Sequence, residues 1–156
     1  MKKWLAMMLS MGMVLTLVGC GHETKEDHSE HVNQAAAHTG IYKDGTYIVK
    51  SDPDPDLRDA VGELTLTILN GKITQAEYKG IQKDGTVKDS DYGKTNGKIE
   101  NREFYNKAQQ ALKGAMMYGP KLVETQDVDR VDSISGATLS NKQFRQAGHK
   151  ALAQAQ

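Results

Sequence analysis

The sequence predicts a small α+β domain, a single antiparallel sheet with two packed helices, preceded by a signal peptide and a flexible stalk. Three observations carry the domain. Leu64, Leu66 and Ile68 alternate with Thr65 and Thr67, and after Asn70-Gly71 a second run extends from Lys72 to Tyr78; alternation of period two marks strands with one buried face. Phe104, Ala108, Ala111, Leu112, Ala115 and Met116 recur at offsets of three and four. Phe144, Ala147, Gly148, Ala151, Leu152 and Ala155 do the same, and each set is the stripe of a helix packed on one side.

The chain opens with the basic Met1-Lys2-Lys3 and an apolar run from Trp4 to Val18, about the length of a signal-peptide core and short for a membrane span. Leu17-Val18-Gly19-Cys20 resembles the lipobox of bacterial lipoproteins. That resemblance implies that residues 1–19 are a lipoprotein signal peptide. Cys20 would then be acylated, palmitate included, and become the mature N-terminus held in the lipid bilayer. Cys20 is the only cysteine, so neither a disulfide nor a second thiol for a soft metal site is available.

Residues 20–40 read as the lipidated cysteine and a His-rich flexible stalk, because large apolar side chains are nearly missing and such a segment cannot bury enough surface to fold. His22, His28, His31 and His38, with Glu23, Asp27 and Glu30, are weak candidates for a transition-metal site. Their spacing matches no closed zinc site, so a hydrophilic spacer is the expectation. Removing Lys2 and Lys3 with the signal peptide leaves 18 basic residues against 20 acidic ones. No basic patch remains, which excludes nucleic acid as a partner, since binding it requires clustered Lys or Arg.

Residues 41–156 suit one domain of modest core. Thr46 to Lys50 reads as a short strand. Asp52-Pro53-Asp54-Pro55-Asp56 marks a loop, because proline cannot enter a sheet interior. Its aspartates lack the glycine and terminal glutamate of an EF-hand loop, so turn chemistry is expected rather than calcium. Glu63 to Leu69 and Lys72 to Tyr78, joined by Asn70-Gly71, form a hairpin with a type I′ turn. Lys79 to Lys98, polar and rich in Gly, Asp and Lys, reads as a long connection or as irregular strands. A helix follows from about Glu100 to Tyr118, ended by Gly119-Pro120. Val123, Val128, Val131 and Ile134 read as extended pieces leading onward.

The last region contains Asp132-Ser133-Ile134-Ser135-Gly136-Ala137-Thr138, one hydroxyl among very small neighbours. Gly136 permits backbone conformations closed to other residues and Ala137 adds only a methyl, so a bulky group can reach Thr138. Ser140 and Gln143 match a capping box, which would start the second helix at about residue 141. Thr138 would then stand just ahead of a helix N-terminus, where unpaired amides and the helix dipole favour a phosphate.

Asp132 followed by Ser135-Gly136-Ala137-Thr138 resembles the flavinylation motif Asp-x-x-(Ser/Thr)-Gly-Ala-(Thr/Ser) of FMN-binding domains. These occur in the C subunit of the sodium-translocating NADH:quinone reductase, the G subunit of Rnf complexes and small lipoproteins of extracellular electron transfer. Tyr42-Lys43-Asp44-Gly45-Thr46-Tyr47 and Asn70-Gly71-Lys72-Ile73 resemble strand starts of the same lipoproteins. The resemblance implies FMN as a covalent cofactor, esterified through its phosphate to Thr138, with Asp132, Ser135, Gly136 and Ala137 as recognition residues. It implies attachment by a separate flavin transferase that uses FAD and magnesium. It also implies an electron carrier rather than an independent enzyme, with a membrane quinone or NADH oxidoreductase as donor and an extracellular or surface acceptor. The protein would be lipid-anchored and outward-facing on the cell membrane. Met116, Met117 and Tyr118 are candidates to line the flavin pocket, with core packing expected of at least one methionine. The alternative is a surface lipoprotein that binds ligand or metal without redox work, carried mainly by the stalk histidines.

Overall fold

Asn70 and Gly71 both take left-handed backbone, φ 54° and 71°, as the two central residues of a type I′ turn must. The computed structural model describes residues 42–156; the signal peptide, Cys20 and the stalk histidines lie outside the described residues. Around that turn, β2 (Val61–Leu69) pairs antiparallel with β3 (Lys72–Ile81), setting Leu64 opposite Tyr78 and Leu66 opposite Ala76. β1 (Gly45–Lys50) pairs antiparallel with the other side of β2, Val49 opposite Leu64. The sheet order is β1-β2-β3. Leu64, Leu66 and Ile68 are buried while Thr65 and Thr67 on the opposite face stay partly exposed, the outcome that the alternation of the sequence requires.

Three helices cover the apolar face. α1 spans Arg102–Met116, and Asn101 caps it by accepting the Phe104 amide at 2.9 Å. α2 spans Tyr118–Thr125 and α3 spans Thr138–Gln154. α3 lies along β2 and β1, whereas α1 and α2 lie against β3. At the centre the Tyr118 and Phe144 rings stack at 4.9 Å, and Tyr78 meets both edge-on at 5.9 and 5.6 Å. Each such pair adds about 0.5–1.5 kcal/mol beyond the area it buries. Among the described residues no helix is long and apolar enough to cross a membrane.

The α+β architecture and the antiparallel sheet are those the sequence predicts, and four local expectations are corrected. Gly119-Pro120 does not end the helical region: the chain bends at Met117 and re-enters a helix with both residues in the first turn of α2. Proline costs little there, because a first-turn amide has no intrahelical acceptor to lose. Val123 falls inside α2 and Val128 opens a 3-10 turn, so neither is extended. α3 begins at Thr138, three residues earlier than expected, and the capping box does not form. Ser140 sits within the first turn, while Gln143 is buried and donates to the Ala60 carbonyl across on the sheet. The fourth correction, at Met116 and Met117, belongs to the site.

The Asp-Pro segment is a turn. Asp54 accepts the Asp56 amide at 3.0 Å and lies 3.2 Å from the Lys142 ammonium of α3, and Asp52 takes Lys150 at 2.7 Å. Those hydrogen bonds hold both carboxyls below the usual carboxylate range. Among the described residues no group of three or more His, Cys, Asp or Glu side chains is placed to hold a metal ion.

Candidate functional site

Ile134 to Ala137 form a tight turn, closed by the Ala137 amide donating to the Ile134 carbonyl at 2.9 Å. Gly136 within it has φ 82°, the left-handed region where a side chain is strained. One buried hydroxyl clamps the turn from beneath. Tyr118 Oη donates to the Ala137 carbonyl at 3.0 Å and accepts from the Ile134 amide at 3.1 Å. α1 presses on the same turn: a Cβ at Gly114 would stand 2.9 Å from Ala137 Cβ and 3.4 Å from the Ser135 carbonyl oxygen. The Tyr78 hydroxyl, whose pKa burial pushes up, donates to the Ser140 carbonyl at 3.1 Å. Two buried tyrosines and a glycine thus fix where α3 starts.

Thr138 is the first residue of α3, and it is exposed. Ala137 before it provides no side-chain cap, and the amides of Thr138, Leu139 and Ser140 find no acceptor among the described residues. One turn on, Asn141 buries an Nδ2 that has no partner either. Helix starts leave such donors unmet unless a side chain, water or ligand accepts them. A phosphate here would meet several.

Beside Thr138 opens a cavity of about 250 Å³. Gly136, Ala137, Thr138 and Leu139 form one wall and Ala108, Ala111, Leu112 and Ala115 of α1 another. Gly80 of β3, with Lys88 and Tyr92 from the connection after it, also lines the cavity. This volume is just under the roughly 300 Å³ at which small-molecule pockets usually begin, so it suits a planar ring system rather than a whole nucleotide. Its walls are mostly methyl and methylene groups, and Lys88 is their one charged side chain among the described residues.

The structure therefore brings Gly136, Ala137 and Thr138 to the cavity, whereas Asp132 and Ser135 are exposed and stand outside its lining. Met116 and Met117 are corrected: they are 59% and 48% exposed and line no part of it. Neither packs in the core, because the bend at Met117 turns both outward. Tyr118 acts from below, as the clamp on the turn. The apolar stripe of α1 faces the cavity through its alanines and Leu112, while Phe104 stays partly in solvent. Lys88 and Tyr92 were not legible in the sequence. They sit in a polar connection without periodicity, and only the isolated bridge between Ile81 and Val87 turns it back onto the sheet.

A small α+β domain with an apolar cavity, ending at a helix N-terminus that carries a free hydroxyl, is a cofactor-binding domain in form. The family model of the FMN-binding domain matches residues 60–153, and the chain belongs to that family, with FMN as its cofactor. Among solved structures, the chain is similar to a crystal structure of a Clostridium perfringens protein, with 26% identity and a TM-score of 0.57 over 74% of this chain and 89% of that one. It also matches a solution structure from Clostridium thermocellum, with 28% identity and a TM-score of 0.42 over 73% and 92% of the two chains. No curated protein matches. The apolar walls and the unmet donors at the start of α3 fit FMN: the cavity suits the ring, and the helix start suits the phosphate.

Proposed function

We propose that this protein is a lipid-anchored electron carrier in which FMN is joined by a phosphoester to Thr138. The observation that carries the reading is the exposed Thr138 hydroxyl at the mouth of the apolar cavity, next to three amides without acceptors. Bound there, the isoalloxazine ring can accept and release one or two electrons repeatedly. The protein's part is to hold that ring and exclude water. α1 supplies the apolar wall, Tyr118 fixes the turn, and the first turn of α3 meets the phosphate.

Covalent attachment has a physical purpose at a cell surface. Even a nanomolar site, worth about −12 kcal/mol, loses its ligand to a medium holding far less flavin than the dissociation constant. An ester removes that equilibrium. Thr138 needs a base to become a nucleophile, yet among the described residues the cavity lining holds no carboxylate or histidine. This supports attachment by a separate flavin transferase, with Asp132 and Ser135, exposed on the outer side of the turn, as contacts for that enzyme. Cys20 would hold the domain at the outer face of the membrane, the stalk would lift it, and electrons would pass from a membrane quinone or NADH oxidoreductase to an extracellular or surface acceptor.

The test is the full chain coexpressed with a flavin transferase. Intact mass should show an addition of about 438 Da, an FMN less water. Yellow colour should survive denaturation, and Thr138→Ala should remove both. Flavin released from wild type by denaturant would refute the ester.

A further inference from the structure

Lys88, which lines the cavity, is anchored by its backbone and its stem. Its amide donates to the Gly80 carbonyl at 2.9 Å, and its aliphatic stem lies on Gly80, where an added Cβ would be 2.9 Å from Cδ. The ammonium lies 5.0 Å from the centre of the Tyr92 ring, a cation–π distance. Burial lowers the pKa of the ammonium, and among the described residues no neighbouring carboxylate offsets that. A half-buried cation without a counter-ion is costly unless something negative joins it.

We propose that Lys88 tunes the bound flavin: its ammonium stabilises the negative charge that the ring acquires on reduction, and so raises the midpoint potential of FMN. This rests on the reading of the cavity as the site of the ring. The position of Lys88 favours the ring over the phosphate. The phosphate end is fixed by Thr138 at the start of α3. Lys88 and Tyr92 also border a smaller cavity of about 60 Å³ whose lining contains no residue of the 132–138 segment, so they stand where the Thr138 cavity adjoins a second space. A flavin tethered at Thr138 and running into the cavity would meet them as part of its lining.

The chemistry balances simply. Two electrons from a reductant and one proton from water convert the neutral ring into one bearing a single negative charge; without a nearby cation a second proton is needed for neutrality. Inside an apolar cavity the attraction between that charge and an ammonium is much stronger than in water. The ring's affinity for the protein therefore rises on reduction, which is the same statement as a raised potential. Tyr92 keeps the ammonium within cation–π reach of its ring.

The experiment compares wild type, Lys88→Met and Lys88→Arg, each flavinylated by the transferase and titrated anaerobically with dithionite against redox dyes at neutral pH. Met keeps the unbranched stem on Gly80 and removes the charge; Arg keeps the charge. Lys88→Met should lose at least about tenfold in relative affinity for the reduced ring, a two-electron midpoint lower by about 30 mV, while Lys88→Arg stays near wild type. An unchanged midpoint in Lys88→Met overturns the inference, as does an equal shift in both variants, which would signify packing. In a Thr138→Ala background, binding of dithionite-reduced free FMN and of reduced riboflavin is measured anaerobically with and without Lys88→Met. Equal weakening of the two ligands supports the ring assignment, and a loss confined to FMN overturns it by giving the cation to the phosphate. A wild type that holds no flavin at all overturns the proposed function, and this inference with it.

Discussion

Replacing Tyr118 by Phe removes one oxygen atom from beneath the Thr138 turn, and the structure says what should follow. The hydroxyl is fully buried and bridges two backbone groups, donating to the Ala137 carbonyl at 3.0 Å and accepting from the Ile134 amide at 3.1 Å. The two losses differ. The Ala137 carbonyl also accepts the Asn141 amide at 3.1 Å, so it stays satisfied. The Ile134 amide makes no other hydrogen bond among the described residues, and a partly buried donor left unmet costs about 1–3 kcal/mol. The expected destabilisation is therefore about 2 kcal/mol, a factor of roughly 30 in the folding equilibrium. Urea unfolding of the flavin-free protein measures it without the stabilisation a ligand adds. With a slope of about 1–2 kcal/mol/M for a domain of this size, the midpoint should fall by about 1–2 M at unchanged slope. Tyr78→Phe is the internal comparison: the Ser140 carbonyl it serves lies within α3 and keeps its helical partner, so about 1 kcal/mol or less should be lost. Attachment of flavin should slow in Tyr118→Phe more than in Tyr78→Phe. Equal midpoint shifts in the two variants would refute the claim that the Ile134 amide makes Tyr118 special.

Two further outcomes are expected. Gly114→Ala should destabilise by about 1–2 kcal/mol despite the better helix propensity of alanine, because its Cβ would crowd Ala137 Cβ at 2.9 Å; a net gain in urea midpoint would show that α1 and the turn are not in tight contact. Asp52 and Asp54 are held below the usual carboxylate range by Lys150 and Lys142. A depressed folded-state pKa stabilises fully above the unfolded value near 4 and is lost as pH falls through the folded one. The melting temperature of wild type should therefore fall between about pH 5 and pH 3 more steeply than that of the Asp52→Asn, Asp54→Asn double variant; parallel curves would argue against these pairs.

Much of the fold was legible because its signals are local. The β2–β3 hairpin needed only an alternation of period two and an Asn-Gly pair whose backbone preference is intrinsic. α3 needed only its stripe from Phe144 to Ala155. The errors arose where two local readings compete and contacts between distant segments decide. Gly119-Pro120 can end one helix or begin another, and the bend at Met117 settled it. Ser140 and Gln143 spell a capping box, but Gln143 found the Ala60 carbonyl, 83 positions away in sequence, and the box did not form.

Residue identity at short range was enough for the α+β class, the family and the hydroxyl to watch. Packing between distant segments sets the rest: Thr138 opens α3 with unmet amides beside it, Tyr118 and Gly114 hold the turn, and Lys88 joins the cavity lining. Walls drawn from β3, α1 and the connection at Lys88 meet only when the sheet and helices pack, and no short-range pattern encodes which side chains face one another across the space between.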